Sequence, residues 1–381
     1  MSTHAPIASM NTTWFTRIFG CAFAVLCWAL ILQTECTAQP DRLEILRHSN
    51  TLCYVTGINK SRDVIGIREI AEQAYFRQAP FFQAAGKKPV DFPKLAGYTN
   101  LEAESLSDTG LVVGYASRAE AKPGKTTAFV WDSNTGKILD LGPLPTDVNA
   151  HAQDISSDGK RITGYSLGAN PARLRPCLWE YAEPEGKWVA QALPAIDPLN
   201  PFLQAGRVII SPNGKLIAGS IAVKNYSESI VDSSLMIWQQ NGNVWERRLV
   251  HGDQPKLKDI NDKGVMVGSI LQDGIARACI VTPDGKLEKI DVLEGDVSNV
   301  ATGINNAGVV VGFSDDPLDG DGGSVAFIVK SGKVLPLDLG ESVVNSSALC
   351  ISDDGFIAGY LIRDAGDEAP LMGFITSPIG K

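Results

Sequence analysis

Short runs of apolar and β-branched residues recur along most of the chain, and each ends in a turn built from Asn, Asp, Ser and Gly. The runs themselves repeat as a unit. A turn carrying Asp, Asn or Gly, then two or three mostly apolar residues and a glycine, appears first as Ile58-Asn59-Lys60-Ser61-Arg62-Asp63-Val64-Ile65-Gly66. The later copies are SLSDTGLVVGY ending at Tyr115, DISSDGKRITGY at Tyr165, IISPNGKLIAGS at Ser220, DINDKGVMVGS at Ser269, GINNAGVVVGF at Phe313 and CISDDGFIAGY at Tyr360. Their closing glycines, Gly66, Gly114, Gly164, Gly219, Gly268, Gly312 and Gly359, lie 48, 50, 55, 49, 44 and 47 residues apart. Periods of about 40 to 50 residues suit a propeller blade, whereas leucine-rich and ankyrin repeats are shorter.

A second hairpin follows within each unit. The clearest copy runs through Ala128-Phe129-Val130-Trp131, turns at Thr135-Gly136-Lys137 and returns through Ile138-Leu139-Asp140-Leu141. Leu235-Met236-Ile237-Trp238 turning at Asn241-Gly242, and Ala278-Cys279-Ile280-Val281 turning at Asp284-Gly285, are counterparts. Asn-Gly or Asp-Gly between apolar runs is the strongest short-range hairpin signal, because the tight turn needs residues that tolerate positive φ. Two hairpins per repeat make four antiparallel strands, A to D from the inside outwards, which is one propeller blade. The pattern therefore predicts an all-β fold, a single seven-bladed β-propeller over 39–381. The last unit stops after its third strand, and Arg42-Leu43-Glu44-Ile45-Leu46 reads as an orphan fourth. Pairing the two closes the ring and covers an exposed strand edge.

The repeats resemble a known family, the bacterial extracellular HAF repeats, named for a His-Ala-Phe signature. Its members look like tandem copies of A-x-x-I-N/S-x-x-G-x-V-V-G-x-S followed by A-F-x-W-x-x-G-x-x-x-x-L. Ala128-Phe129-Val130-Trp131 and Asp140-Leu141-Gly142 carry the match, which extends over the whole chain after residue 38, although no copy keeps the histidine before Ala-Phe. The resemblance implies a secreted bacterial protein and no particular activity.

The leading segment, residues 1–38, reads as an export signal. Arg17 precedes the apolar run Ile18 to Leu32, and Thr34-Glu35-Cys36-Thr37-Ala38 offers small residues for cleavage after Ala38. As a helix that run reaches about 22 Å at ~1.5 Å per residue, short of a bilayer core of ~30 Å, which favours removal over anchoring. Glu35 before Cys36 excludes a lipoprotein signal, and Met10 serves equally well as a start. Secretion, to the periplasm, cell surface or medium, is the expectation. Of the seven cysteines, Cys21, Cys27 and Cys36 fall in the leader. Cys53, Cys177, Cys279 and Cys350 remain, too widely spaced for a zinc site or a dense disulfide framework. A bridge between Cys53 and Cys350 would join the first and last blades. A hydrophobic content of 44% with 20% charged residues and 37 glycines describes a folded chain rich in turns. A net charge of -9 argues against nucleic acid or an anionic membrane as the main partner.

Several motifs dissolve once placed on the repeat. Gly164-Tyr165-Ser166-Leu167-Gly168 has the spacing of a hydrolase nucleophile elbow, which needs a strand, a strained turn and a helix. Here it ends strand B of the third repeat. Pro123-Gly124-Lys125-Thr126 lacks the earlier glycine of a phosphate loop, since Ala119 stands there. Asp158-Gly159 and Asp354-Gly355 are adjacent pairs, unlike the spaced Asp and Gly of sialidase turns. His48, His151 and His251 lie near the starts of separate blades and read as polar loop residues, without the i, i+4 spacing of a helical metal pair. Trp131, Trp179 and Trp238 share one repeat position and read as packing between blades. Asp315, Asp316, Asp319 and Asp321 gather oxygen donors in a glycine-rich loop. They read as a solvated loop, with calcium as the alternative, because Pro317 occupies a ligand position of the helical calcium loop.

In a blade the A–B and C–D turns share one face, and the B–C and D–A connections share the other. The second set is longer and more varied, and variable loops on a rigid scaffold are where recognition resides. The expectation is a monomeric, non-catalytic binding module contacting an extracellular protein or polysaccharide there, through Tyr75, Phe76, Arg77, Arg175 and Tyr226. It involves no nucleic acid, no membrane insertion after cleavage and no cofactor beyond the calcium alternative. The competing reading is a carbohydrate lyase or hydrolase whose acids converge on the central channel, since the fold itself hosts many functions. A metal-stabilised structural protein rests on the acidic loop alone.

Overall fold

The two hairpins of each repeat pair into one antiparallel sheet, and seven four-stranded sheets surround a central channel in the computed structural model. The structure describes residues 43–47, 52–71, 76–118, 124–168, 174–194, 203–224, 230–250, 255–316, 323–364 and 369–379, with no helix among them. The protein is a seven-bladed β-propeller. Blade 1 comprises Cys53–Ile58, Val64–Ala71, Phe76–Gln83 and Val90–Asp91; blade 2 comprises Asn100–Leu106, Leu111–Arg118, Lys125–Asp132 and Ile138–Asp140. Blade 3 comprises Asp147–Ile155, Arg161–Gly168, Leu174–Ala182 and Lys187–Ala192, and blade 4 Leu203–Ile210, Leu216–Lys224, Ile230–Asn241 and Val244–Val250. Blades 5 and 6 run Lys256–Ile260, Met266–Gln272, Ile275–Val281, Leu287–Lys289 and Ser298–Ile304, Val310–Asp315, Val325–Lys330, Lys333–Pro336. Blade 7 takes Val343–Ile351, Ile357–Arg363 and Met372–Thr376 from the C-terminal end. Its outer strand is Leu43–Leu46, paired from Leu43 with Thr376 to Leu46 with Gly373.

The repeat glycine has a steric reason. In six blades strand A carries a β-bulge opposite it, as between Ala103 and Ser105 or between Ala348 and Cys350, and a bulge kinks the strand toward its neighbour. A Cβ on Gly114 would lie 1.9 Å from the Glu102 carbonyl oxygen, and one on Gly359 1.9 Å from that of Ser347. Blade 4 is the exception. Its irregularity lies earlier, between Ala205 and Val208, and a Cβ on Gly219 would meet nothing closer than Trp238 at 3.3 Å.

Hydrophobic burial lies between the sheets. Seven apolar clusters, one at each junction of neighbouring blades, make up the core. Trp131, Trp179 and Trp238 are buried there, and the Trp179 and Trp238 indole N–H groups donate to the carbonyls of Gly142 and Pro194. On the A–B face, backbone amides latch each turn to the next: Lys60 N to Asp108 Oδ1, Asp108 N to Ser157 O, Ser157 N to Pro212 O, Asn213 N to Asp262 Oδ1, Asp262 N to Asn306 Oδ1 and Asn306 N to Asp353 Oδ1. At the seam between blades 7 and 1, Arg62 pairs with Glu44 of the N-terminal strand and lies over Phe356 at 5.4 Å. Cys350 retains its thiol, which donates to the Ala358 carbonyl, so the bridge to Cys53 is not formed.

Candidate functional site

The bulges also decide what faces the axis. A central cavity of about 170 Å³ is lined by residues from all seven blades, and the bulged positions point Thr56, Glu104, Arg207, Lys258 and Thr302 into one ring. Arg207 approaches Glu104 at 3.7 Å. Its Nε is buried and has no hydrogen-bond partner among the described residues. Burial, and then the neighbouring Arg207 charge, lower the Lys258 pKa, while burial raises that of Glu104 against the pull of Arg207.

Two further acids sit in the channel wall. Asp154 accepts hydrogen bonds from the Ser105 hydroxyl of blade 2, from its neighbour Ile155 N and from Ile210 N of blade 4. Asp259 accepts from Ile260 N and from Ile304 N of blade 6. Both therefore tie neighbouring blades together. Burial raises the pKa of each; for Asp259 it reaches about 7, with the Asp154 charge adding to the effect. Both remain open to the channel on one side.

In four of the repeats an aromatic follows the glycine, Tyr115, Tyr165, Phe313 and Tyr360, and in blade 3 the residue opposite it is a histidine. His151 pairs across the strands with Tyr165, and its ring lies stacked between Tyr115 at 4.0 Å and Tyr165 at 4.8 Å. Nδ1 bonds to the Tyr165 hydroxyl and Nε2 to Thr126 Oγ1, while the Tyr115 hydroxyl engages Glu102. Burial holds the imidazole neutral, with a pKa lowered to about 4. His151 is thus an inward-facing strand residue of the blade 2–3 junction, where the sequence suggested a polar loop. The sequence carried no signal for it: continued in register from Ile155–Ile162, the hairpin would set Ala152 opposite Tyr165, and the bulge between Ala152 and Asp154 brings His151 there instead.

The predicted contacts separate. Arg175 is braced to Asp147 at 2.7 Å and to the Pro145 carbonyl, within its own blade. Arg77 is exposed in strand C of blade 1, which Phe76 begins. Tyr75, Tyr226, His48 and His251 lie outside the described residues, as do Asp319 and Asp321. Asp315 ends strand B of blade 6, and its Oδ1 is buried with no hydrogen-bond partner among the described residues. Among the described residues no three His, Cys, Asp or Glu side chains cluster closely enough to hold a metal. Ser166 is buried and bonds Leu144 N and Asn149 O, so the elbow-like motif is a structural strand end.

No protein-family model and no curated protein matches the sequence. Solved structures do match. A prolyl endopeptidase aligns with 88% of this chain and 47% of its own length, at 12% identity and a TM-score of 0.58. The β-propeller domain of the trilobed protease from Pyrococcus furiosus aligns with 84% of this chain and 93% of its own, at 10% identity and 0.51. An oligogalacturonate lyase in complex with manganese covers 90% of this chain and 92% of its own, at 10% and 0.51. The likeness is one of fold. The chain spans about half the length of the peptidases that it matches.

Proposed function

We propose that the protein is a secreted, non-catalytic interaction module of the HAF-repeat type that holds an envelope protein or polysaccharide on the face formed by its B–C and D–A connections. The observation that carries this reading is the state of the channel acids. Asp154 and Asp259 each accept backbone amides from a neighbouring blade, and Glu104 stands beside Arg207. A general acid or base needs a carboxyl oxygen free to exchange a proton with substrate. Both oxygens of Asp154 and of Asp259 already accept hydrogen bonds within the wall, although that wall borders the channel, and Glu104 has Arg207 for a neighbour. Calcium at the Asp315–Asp321 loop is an accessory part of the proposal, supported by the unpartnered Asp315 oxygen. The test is retention of the purified protein on envelope polysaccharides and surface proteins of the producing cell, with and without calcium, while released sugars are assayed. Retention without product supports the module; product release overturns it.

A second reading, a carbohydrate lyase or hydrolase, draws on one feature. An Asp259 carboxyl with a pKa of about 7 in a cavity shared with Arg207 and Lys258 is the kind of perturbed group that acid–base sites contain. An oligogalacturonate lyase that shares the fold makes acidic oligosaccharides the class of substrate to assay.

A further inference from the structure

Blades 3 and 4 carry longer C–D hairpins than blade 2. Strand pairing extends to Ala182–Lys187 in blade 3 and to Asn241–Val244 in blade 4, but ends at Trp131–Ile138 in blade 2. Each extension places a tryptophan at the same register, Trp188 opposite Tyr181 and Trp245 opposite Gln240. Each tryptophan meets the preceding blade, whose strand B begins with Leu111 in blade 2 and with Arg161 in blade 3.

At the junction of blades 3 and 4, Arg161 fills the space between. Its guanidinium lies 5.6 Å from the centre of the Trp245 ring and donates to Glu180 Oε1 at 2.9 Å, the Gly214 carbonyl at 2.9 Å and Gln240 Oε1 at 2.8 Å. Trp245 is left 8% exposed beneath it. At the junction of blades 2 and 3, Leu111 takes the place of that arginine, and a groove of about 540 Å³ opens instead. Tyr181 and Trp188 meet edge to face on its wall, 5.4 Å between ring centres, with Tyr181 38% exposed. The surroundings of Arg161 recur in part, with Tyr181 standing where Gln240 does. Asp132 stands opposite Leu111 as Glu180 stands opposite Arg161. Gly159 faces Leu111 Cδ1 as Gly214 faces Arg161 Cδ. Burial acts against the charge of Asp132, but hydrogen bonds from Thr135 and Asn134 hold its carboxyl below the ordinary value.

We propose that the groove between blades 2 and 3 is a binding site for a guanidinium group, and takes an arginine side chain of a partner polypeptide where the next junction is filled by the protein's own Arg161. Flat, delocalised guanidinium suits an aromatic wall beside a carboxylate better than ammonium does. The charges bordering the groove agree with a cation. Asp132, Asp158 and Glu183 outnumber Lys137 and Lys160, and Lys160 is already paired with Glu183 at 3.1 Å. The site lies toward the A–B and C–D turns, away from the loop face, and stands or falls independently of the function proposed above.

The test is titration of the purified protein with L-argininamide, following the Trp188 indole N–H resonance assigned through Trp188→Phe. L-citrullinamide, which keeps the shape and the α-ammonium but replaces the guanidinium with a neutral urea, is the control. The expected result is saturation in roughly the millimolar range, with citrullinamide at least about tenfold weaker. Leu111→Arg would fill the groove from within and abolish the response, at a melting temperature no lower than that of the parent. Asp132→Asn would weaken it severalfold. Equal responses to both amides, absence of saturation, or an undiminished response in Leu111→Arg would overturn the site. Should Leu111→Arg fail to fold, Asp132→Asn decides: unchanged argininamide binding there refutes the proposal.

Discussion

Replacing Asp154 with alanine removes the acceptor for three donors at once: the Ser105 hydroxyl and the amides of Ile155 and Ile210. The hydroxyl can turn toward the channel, whereas the two amides are fixed by their strands. A buried donor left without a partner costs about 1–3 kcal/mol, so the two amides together cost roughly 2–6 kcal/mol. Against this stands relief of the carboxylate's own desolvation, evident in its raised pKa, and access of channel water to the wall. The net loss is expected at about 2–4 kcal/mol, which for a domain of this size lowers the melting temperature by roughly 3–6 °C. Calorimetry of Asp154→Ala and of the parent, alongside sugar-release and retention assays, measures this directly. A variant that melts with the parent yet loses sugar release would show that Asp154 serves chemistry, and would refute the reading of the channel acids as latches.

Two partly buried groups give pH dependences of opposite sign. Asp259 has a raised folded-state pKa, so between about 4 and about 7 the native state holds more protons than the unfolded one. Its contribution to stability is therefore lost as pH rises through that window, by at most about 4 kcal/mol, and Asp259→Asn should flatten the trend in urea midpoints. His151 is lowered to about 4, so its contribution is present above about 6.5 and is lost as pH falls through 4; with solvent screening the loss is no more than about 2 kcal/mol, and His151→Phe should remove it from the same urea series. Gly114→Ala should destabilise by several kcal/mol (about 3 or more) because its Cβ would strike a backbone oxygen, while Gly219→Ala should cost about 1 kcal/mol or less; equal melting temperatures for the two would contradict the bulge argument.

The blade count, the four strands of each blade and the strand that closes the ring were legible in the sequence, because turn chemistry and the alternation of apolar residues are local properties. Seven Asx-rich turns ahead of seven glycines state a repeat, and Leu43–Leu46 states a missing partner. The side chains around the axis were not legible. A bulge adds one residue to strand A, and a one-residue slip turns every later side chain to the other side. That slip brings Glu104, Arg207 and Lys258 from three blades into one ring, and blade 4 makes its slip at a different place from the rest. Arg175, exposed by sequence logic, is tied to Asp147, and His151 is enclosed by a tyrosine from the preceding blade. Leu111 and Arg161 occupy the same repeat position, yet one leaves a groove and the other fills it, because the outcome depends on a hairpin in the next blade. The sequence by itself determined the architecture, through hairpin pairings between residues close along the chain and, at the ring's closure, through a strand left without a partner at one end and a blade short of a strand at the other. The tertiary structure alone decided the surfaces where chemistry can occur, since those arise between blades about fifty residues apart, where strand register and side-chain reach control what meets.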